Sequence, residues 1–514
     1  MAHITRNRRL NPPNSSRKKL LICFFIGISS LVIATLLVTI DPVLVIAQFI
    51  SRIEKNTVIY NALSTELRGV FVGTYLFNVT NPKEFLSGQD EKLKVEEIGP
   101  FTYQELRSQE GLELGTDEGV MRYSPKTRTE FIPEKSIGDP KDVIVSMPNI
   151  AYLSMTSMVS TMPYFSRLGF NLLTMRLNSQ PIRNMTAYDY LWGYNEDLIT
   201  LGNTILPGWI SFGKMGILDR MYDNTVDYRI ELGATNANKF DIKKMNGHDR
   251  LTAWDYTDGN RKSKCNEFRN AYEGIGYPAN MSPDREIRIY RNVLCRFLEL
   301  DYVETRPMKP GINSLVYTIS NRTFTLNPDT ECLCQKGMCI EGISDLSPCF
   351  YGLPLSLSAA HFTGANPKLY SHIDGLKPDL NRFSSEFVIE PKIGMVLDTF
   401  FTVQVNIVVK DVRFNAATSK FSDIVIPVAY FRIYQPPLTE NDEHTLQLVY
   451  VIGPYITLGF VVALYLISFI ALSYWIRMLY WNWLCSQDKG MAFEAEGNSK
   501  IKGGFLISAF PLLR

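Results

Sequence analysis

Two long and predominantly apolar stretches carry no charged residue, Leu20–Ile40 (LLICFFIGISSLVIATLLVTI) and Val449–Ile476. At 1.5 Å rise per residue the first spans about 30 Å as a helix, the depth of a bilayer core. It is longer than the apolar region of a secretory signal and runs into Asp41-Pro42 with no small-residue cleavage site, so it predicts a retained transmembrane helix. The second ends in Tyr474 and Trp475 and is followed by Tyr480, Trp481 and Trp483, aromatic residues of the kind that settle at a lipid–water interface. Between the runs the pattern changes. From Phe401 to Val409 apolar side chains alternate with Thr402, Gln404 and Asn406, a period of two that predicts a strand with one buried face. Ile424–Ile433 is apolar on both faces and predicts a covered strand, with Pro427 at an edge or bulge. Gly69–Pro82 predicts another strand ending in turn residues. In Asn149–Arg176, Tyr152, Met155, Val159 and Met162, then Phe165, Leu168, Leu172 and Met175, recur at helical spacing around Pro163, which predicts two amphipathic helices. Their methionines suit either a core face or an adaptable binding surface.

Charge sets the topology. Arg6, Arg8, Arg9, Arg17, Lys18 and Lys19 precede the first run and Arg477 and Lys489 follow the second, whereas Glu440, Asp442 and Glu443 stand between the runs. Basic residues stay cytosolic, so both termini are expected there and the intervening region outside the cell or in a lumen. The expected order is a cytoplasmic tail (1–19), a transmembrane helix (20–40), a glycosylated ectodomain (41–448), a transmembrane helix (449–476) and a cytoplasmic tail (477–514). Across 514 residues, 53 basic and 52 acidic side chains with 46% hydrophobic content exclude disorder, collagen and a polybasic nucleic-acid binder.

Six of the eight cysteines, Cys265, Cys295, Cys332, Cys334, Cys339 and Cys349, fall in the middle region. In an oxidising compartment they predict three disulfides, with fifteen pairings open. A zinc site would normally use two pairs spaced two to four residues apart, which this cluster lacks. Glycosylation acceptors occur at Asn78, Asn184, Asn280 and Asn321, and juxtamembrane Cys485 is a palmitoylation candidate. The chain carries no phosphate loop, nucleophile elbow or H-E-x-x-H helix. Its five histidines are scattered, and His361 and His372 are expected to be structural. Neither an enzyme nor a cofactor is expected.

Several segments together resemble the class B scavenger receptor family. They are Val95–Glu105 (VEEIGPFTYQE), Leu191–Tyr194 (LWGY), the cysteine region 265–349, Leu353–Phe362 (LPLSLSAAHF), Ile373–Pro378 (IDGLKP) and Ile389–Leu397 (IEPKIGMVL), in that order between the two anchors. The resemblance implies an α+β protein: two terminal transmembrane helices flanking a large antiparallel β-barrel ectodomain, with a membrane-distal helical bundle and a lipid tunnel. The cysteine spacing is similar to the fatty-acid translocase branch, which implies the pairs Cys265–Cys332, Cys295–Cys349 and Cys334–Cys339. It also implies a ligand-docking apex over 149–184, with Met155, Met158, Met162, Phe165, Arg167, Arg176 and Arg183 as contact candidates. The function implied is a receptor that binds lipids or lipoprotein-like particles and passes fatty acid, sterol, carotenoid or similar cargo through the tunnel to the membrane. The alternatives are a lysosomal or endosomal trafficking receptor, an adhesion or phagocytic receptor for anionic particles, and an insect-type chemosensory protein. Lysosomal sorting commonly uses an acidic residue four before a leucine pair; Ser508 stands there before Leu512-Leu513, which favours the plasma membrane over the lysosome. Lipid partners and no nucleic acid are expected, and a homo-oligomer is compatible.

Overall fold

The computed structural model describes residues 14–205, 212–225, 227–255, 262–308, 311–334 and 339–500. Arg6, Arg8, Arg9 and the Leu512-Leu513 pair lie outside them, as do the side chains of Arg17, Cys485 and Lys489. The chain divides into two compact units, one comprising Met1–Ile46 with His444–Arg514 and the other Ala47–Glu443.

In the first unit, α1 (Asn14–Thr39) packs against α4 (Gly453–Lys500). A Cβ on Gly27 would stand 2.6 Å from the Leu472 side chain, so the absence of a side chain lets the helices approach closely. Ser468 Oγ donates to the Gly27 carbonyl (2.8 Å), and the Phe24 and Trp475 rings lie 4.9 Å apart. Most of the remaining apolar side chains on both helices face outward. Both are long and apolar enough to cross a membrane.

The second unit is built on one mostly antiparallel sheet. Its principal strands, in chain order, are β1 (Leu67–Val79), β2 (Leu93–Gly115), β3 (Val120–Phe131), β4 (Ile230–Gly233), β5 (Ile242–Met245), β6 (Ala271–Tyr272), β7 (Ile287–Arg291), β8 (Arg296–Met308), β9 (Ile312–Ile319), β10 (Leu355–Ser358), β11 (Glu386–Glu390), β12 (Met395–Val408) and β13 (Val425–Tyr434), and the two-residue strands Ser344–Asp345 and Ile373–Asp374 pair with β10 and β2. In space they run β6-β7-β8-β9-β11-β12-β13-β1-β2-β3-β4-β5, with β10 on the edge of β12 beyond β11. A bridge from Asp241, next to β5, to Tyr272 in β6 brings the two ends together, so the sheet is nearly closed. Near-closure removes the exposed edges on which a large sheet would otherwise pair with other chains.

Strand β13 lies between β12 and β1 and is buried on both faces except at exposed Arg432 and half-buried Tyr434. Pro427, which has no N–H for the ladder, sits at a bulge: Val405 opposes Ala429, but Asn406 opposes Pro427. The alternation in β12 is real, but its polar row does not face water. Thr402, Gln404 and Asn406 are buried along with their apolar neighbours Phe401, Val403 and Ile407. Gln404 Nε2 donates to Asn406 Oδ1 (2.7 Å), Asn406 Nδ2 donates to Ser358 Oγ in β10 (3.0 Å), and Gln404 Oε1 accepts the His361 backbone N–H (2.7 Å). Removing one member of such a row leaves its partners buried without a hydrogen bond. Gln404→Ala is expected to destabilise the protein by about 1–3 kcal/mol, read as a fall in the unfolding midpoint of the detergent-solubilised full chain, whereas Arg432→Ala on the exposed position of β13 should change it little.

Candidate functional site

Two helices and a series of interior cavities form the site. Helix α2 (Ile150–Val159) is capped by Asn149, whose Oδ1 accepts the Tyr152 N–H (3.2 Å) while its Nδ2 donates to Glu196 (2.7 Å). Helix α3 (Tyr164–Arg176) starts after Pro163, as the sequence predicts. Tyr152 and Met155 of α2 are buried with Phe170 and Leu198. The apolar row predicted for α3 points the other way: Phe165 is 82% exposed and Met175 77%, and Tyr164, Leu168 and Leu172 are also exposed. The inward side of α3 instead carries Phe170, Asn171 and Thr174. Asn171 donates to the Phe414 carbonyl (2.7 Å) and accepts from Asn415 Nδ2 (2.9 Å), and Asn415 in turn accepts from the Tyr152 hydroxyl (3.0 Å). These polar bonds orient α3 and leave its apolar face uncovered.

The candidate docking residues therefore separate. Met162, Phe165 and Arg176 are exposed. Met155 is 8% exposed and packs inward, and Met158 lines a cleft. Arg167 lies over the Phe414 ring (5.9 Å). Arg183 is engaged by Glu196 (3.1 Å) and the Asn195 carbonyl (2.9 Å), so it holds the fold rather than offering a free cation. Asn184, Asn280 and Asn321 are exposed, whereas Asn78 is half-buried within β1, donating to Glu96 (2.7 Å) and accepting the Ser146 N–H (2.7 Å). Cys265 is bonded to Cys332, Cys295 to Cys349 and Cys334 to Cys339. No cluster of three or more His, Cys, Asp or Glu side chains is placed to hold a metal among the described residues.

A cleft of about 840 Å³ is lined by Met158, Phe324, Leu333, Ile343, Tyr351 and Val425, among others. A narrow, almost wholly apolar cavity of about 50 Å³ follows, bounded by Phe212, Met215, Leu294, Leu355, Val403 and Phe431. A third, of about 80 Å³, is polar on one side, with Glu105, Arg107, Tyr222, Tyr228, Glu273 and Arg291. The first two share the wall residue Tyr351; the second and third share Met221, Val293 and Leu294. In the third cavity Arg107 pairs with Glu273 (2.7 Å) out of contact with water, and Tyr123 donates to the same carboxylate (2.5 Å). Burial drives the Tyr222 and Tyr228 hydroxyls far above their ordinary range, so they remain neutral, and Tyr222 donates to Glu105 (2.9 Å).

His361, in the LPLSLSAAHF segment, is buried with a positive φ of 53°. Its Nδ1 accepts the Lys377 N–H (3.1 Å), so the ring proton resides on Nε2 and is donated to Glu97 (2.9 Å). Arg382 also reaches Glu97 (2.6 Å), and Phe383 stacks on the imidazole at 4.9 Å. His361 thus has the structural role expected of it. Sequence reasoning missed its partners Glu97 and Arg382, as well as the Arg107–Glu273 pair; each joins residues far apart in the chain, and no local pattern announces the contact.

A model of the CD36 family matches residues 22–479, so the chain belongs to the CD36 family. It is similar to Scavenger receptor class B member 1 of Bos taurus (27% identical over 417 residues, 79% of each chain) and of Mus musculus (28% over 369 residues, 70% of this chain and 69% of the relative). It is also similar to Lysosome membrane protein 2 of Homo sapiens (26% over 364 residues, 70% of this chain and 73% of the relative). With its two terminal apolar helices and its nearly closed sheet, the protein is a two-pass class B scavenger receptor of the plasma or lysosomal membrane.

The Glu97 network makes stability depend on pH. Burial opposes ionisation of Glu97, but hydrogen bonds from His361 and Arg382 and the Arg382 charge outweigh it, leaving its carboxyl below the usual range. Its contribution is therefore full above the unfolded-state value of about 4.3 and is lost as pH falls through the lower folded-state value. Glu97→Gln should lower the unfolding midpoint at pH 7 and shrink the decline seen as the pH falls below the ordinary carboxylate range; thermal scans of both proteins from neutral to acid pH check this.

Proposed function

We propose that this receptor docks a lipid or lipoprotein-like carrier on the exposed apolar face of α3 and passes a hydrophobic cargo molecule through its interior cavities to the membrane. No catalytic step is involved. The observation that supports the reading is a succession of neighbouring cavities with wall residues in common, Tyr351 between the first two and Met221, Val293 and Leu294 between the second and third, the smallest of the three being almost wholly apolar. The cleft volume falls within the roughly 300–1,000 Å³ range of small-molecule pockets. A conduit matters because each Å² of apolar surface kept from water is worth about 25 cal/mol, so a lipid crossing unaided meets a large barrier. Phe165, Leu168, Leu172 and Met175 form a contiguous apolar face beside exposed Arg176, which suits a particle with an amphipathic, anionic surface.

The same reading places 41–448 outside the cytosol, with N-glycans at the acceptor asparagines. Three of those four are exposed, which suits bulky surface attachments. Acylation of Cys485 would add a second cytosolic membrane contact.

Narrowing the central cavity tests transport, and charging α3 tests docking. Leu355→Trp should cut uptake of a radiolabelled sterol ester from lipoprotein particles by about tenfold or more while particle binding is kept; the inserted bulk costs about 1–3 kcal/mol of stability, and Leu355→Met should transfer normally. Unchanged uptake in surface-expressed Leu355→Trp would sink the conduit. Phe165→Asp should instead weaken particle binding, with the unfolding midpoint nearly unchanged because Phe165 touches little.

A further inference from the structure

The polar side of the third cavity holds two ion pairs that differ in how closely they meet. Arg107 and Glu273 are in full contact (2.7 Å). Glu105 and Arg291 are not: Arg291 Nη1 stands 3.9 Å from Glu105 Oε2, beyond hydrogen-bond distance. Glu105 lies in β2 and Arg291 ends β7, strands that are not neighbours in the sheet, so the two side chains meet across it. The other carboxylate oxygen, Glu105 Oε1, is taken by the Tyr222 hydroxyl (2.9 Å). Among the described residues nothing accepts a hydrogen bond from the Arg291 guanidinium, and the Tyr228 hydroxyl has no partner either. That hydroxyl feels the charges of Glu273, Arg107, Arg291 and Glu105, which places it among them. These groups are not walled off by protein: 27% of the Arg291 side chain and 14% of that of Glu105 are accessible, and Tyr228 is half-buried.

The chemistry of the gap selects among lipid ends. An oxygen atom can lie within about 2.9 Å of both Arg291 Nη1 and Glu105 Oε2, accepting from the first and donating to the second. The charges around the cavity balance, Arg107 with Glu273, Arg291 with Glu105, and Asp223 with Arg220 (2.8 Å). An anion in the gap would therefore meet the Glu105 carboxylate at close range, and a hydrocarbon end would strip water from both charges and replace it with nothing. A hydroxyl both accepts and donates and carries no charge. The walls at Met221, Val293 and Leu294 are shared with the almost wholly apolar cavity, which suits a hydrocarbon body behind that hydroxyl.

We propose that the gap between Arg291 and Glu105 seats the hydroxyl of a neutral lipid alcohol, so that the receptor prefers alcohols to fatty acids and hydrocarbons. Arg291 donates to the hydroxyl oxygen, Glu105 Oε2 accepts its hydrogen bond, and Tyr228 is a further donor beside them. The inference names the cargo class of the proposed lipid conduit and rests on that reading.

The test uses the full chain in phosphatidylcholine nanodiscs, with empty nanodiscs subtracted. Saturable binding of radiolabelled 1-octadecanol is compared with that of 1-methoxyoctadecane, which accepts but cannot donate, and of sodium stearate, the carboxylate of the same chain length. The wild type is expected to hold octadecanol about tenfold or more tightly than either, the lower end of what a hydrogen bond to a charged group supplies. Arg291→Met should weaken octadecanol binding by a similar factor. Glu105→Gln should narrow both preferences and raise stearate binding, a gain that damage to the fold cannot produce, so this variant decides even where Arg291→Met does not fold. Wild-type protein that holds octadecanol no better than stearate or the methyl ether overturns the hydroxyl seat and leaves the conduit standing. Absence of saturable binding of all three lipids overturns the seat and the conduit together. A preference for octadecanol that is unchanged in the variants puts the hydroxyl elsewhere and overturns the assignment to Arg291 and Glu105.

Discussion

A sheet that nearly closes on itself shuts one face of each strand away from water, and every polar group on that face must then find its partner within the protein. The bridge between Asp241 and Tyr272 completes this enclosure by bringing the last strand of the spatial order back to the first. Much else follows from it. Thr402, Gln404 and Asn406 would be an ordinary wet face in an open sheet; here they bond one another, Ser358, the Phe383 carbonyl and the His361 backbone. The same enclosure leaves interior space where neighbouring side chains fail to meet, and a narrow, mostly dry cavity results.

The charged groups taken inside are handled in three ways. Arg107 and Glu273 neutralise each other, with the Tyr123 hydroxyl as a further donor to the carboxylate. Lys239 is buried against the carbonyls of Ile393 (2.9 Å) and Ser51 (3.3 Å), and burial lowers its pKa to about 8. Dipoles solvate a charge without cancelling it. Arg296 donates to one carbonyl and, among the described residues, meets no carboxylate, so its charge is carried inside with the least compensation of the three.

The exposed face of the helix pair has a related origin. Its orientation is set by Asn171, Thr174 and Asn415, polar side chains that find partners only when that side of α3 turns inward. The apolar face is left over, and exposed large side chains at consecutive turns are what a docking surface requires. The exposed apolar face of α3 and the interior space are thus two results of one packing solution.

Much of this was legible in local pattern. The two uncharged runs, the strands around Gly69, Phe401 and Ile424, and the break at Pro163 all appear as expected, because periodicity and proline act over a few residues and need no distant partner. The bulge at Pro427 follows from its missing N–H in the same way. Period alone says which residues share a face and not what that face meets. The alternation in β12 therefore identified a strand while suggesting, wrongly, that its polar row was wet, and the helical repeat in Phe165–Met175 identified a helix while leaving open that its apolar side is outward. The pairing of Glu97 with His361, of Arg107 with Glu273, and the isolation of Arg296 join or separate groups across long stretches of chain. Such contacts come into being only when the sheet closes, since closure alone decides which side chains share the dry interior and which charges find one another there.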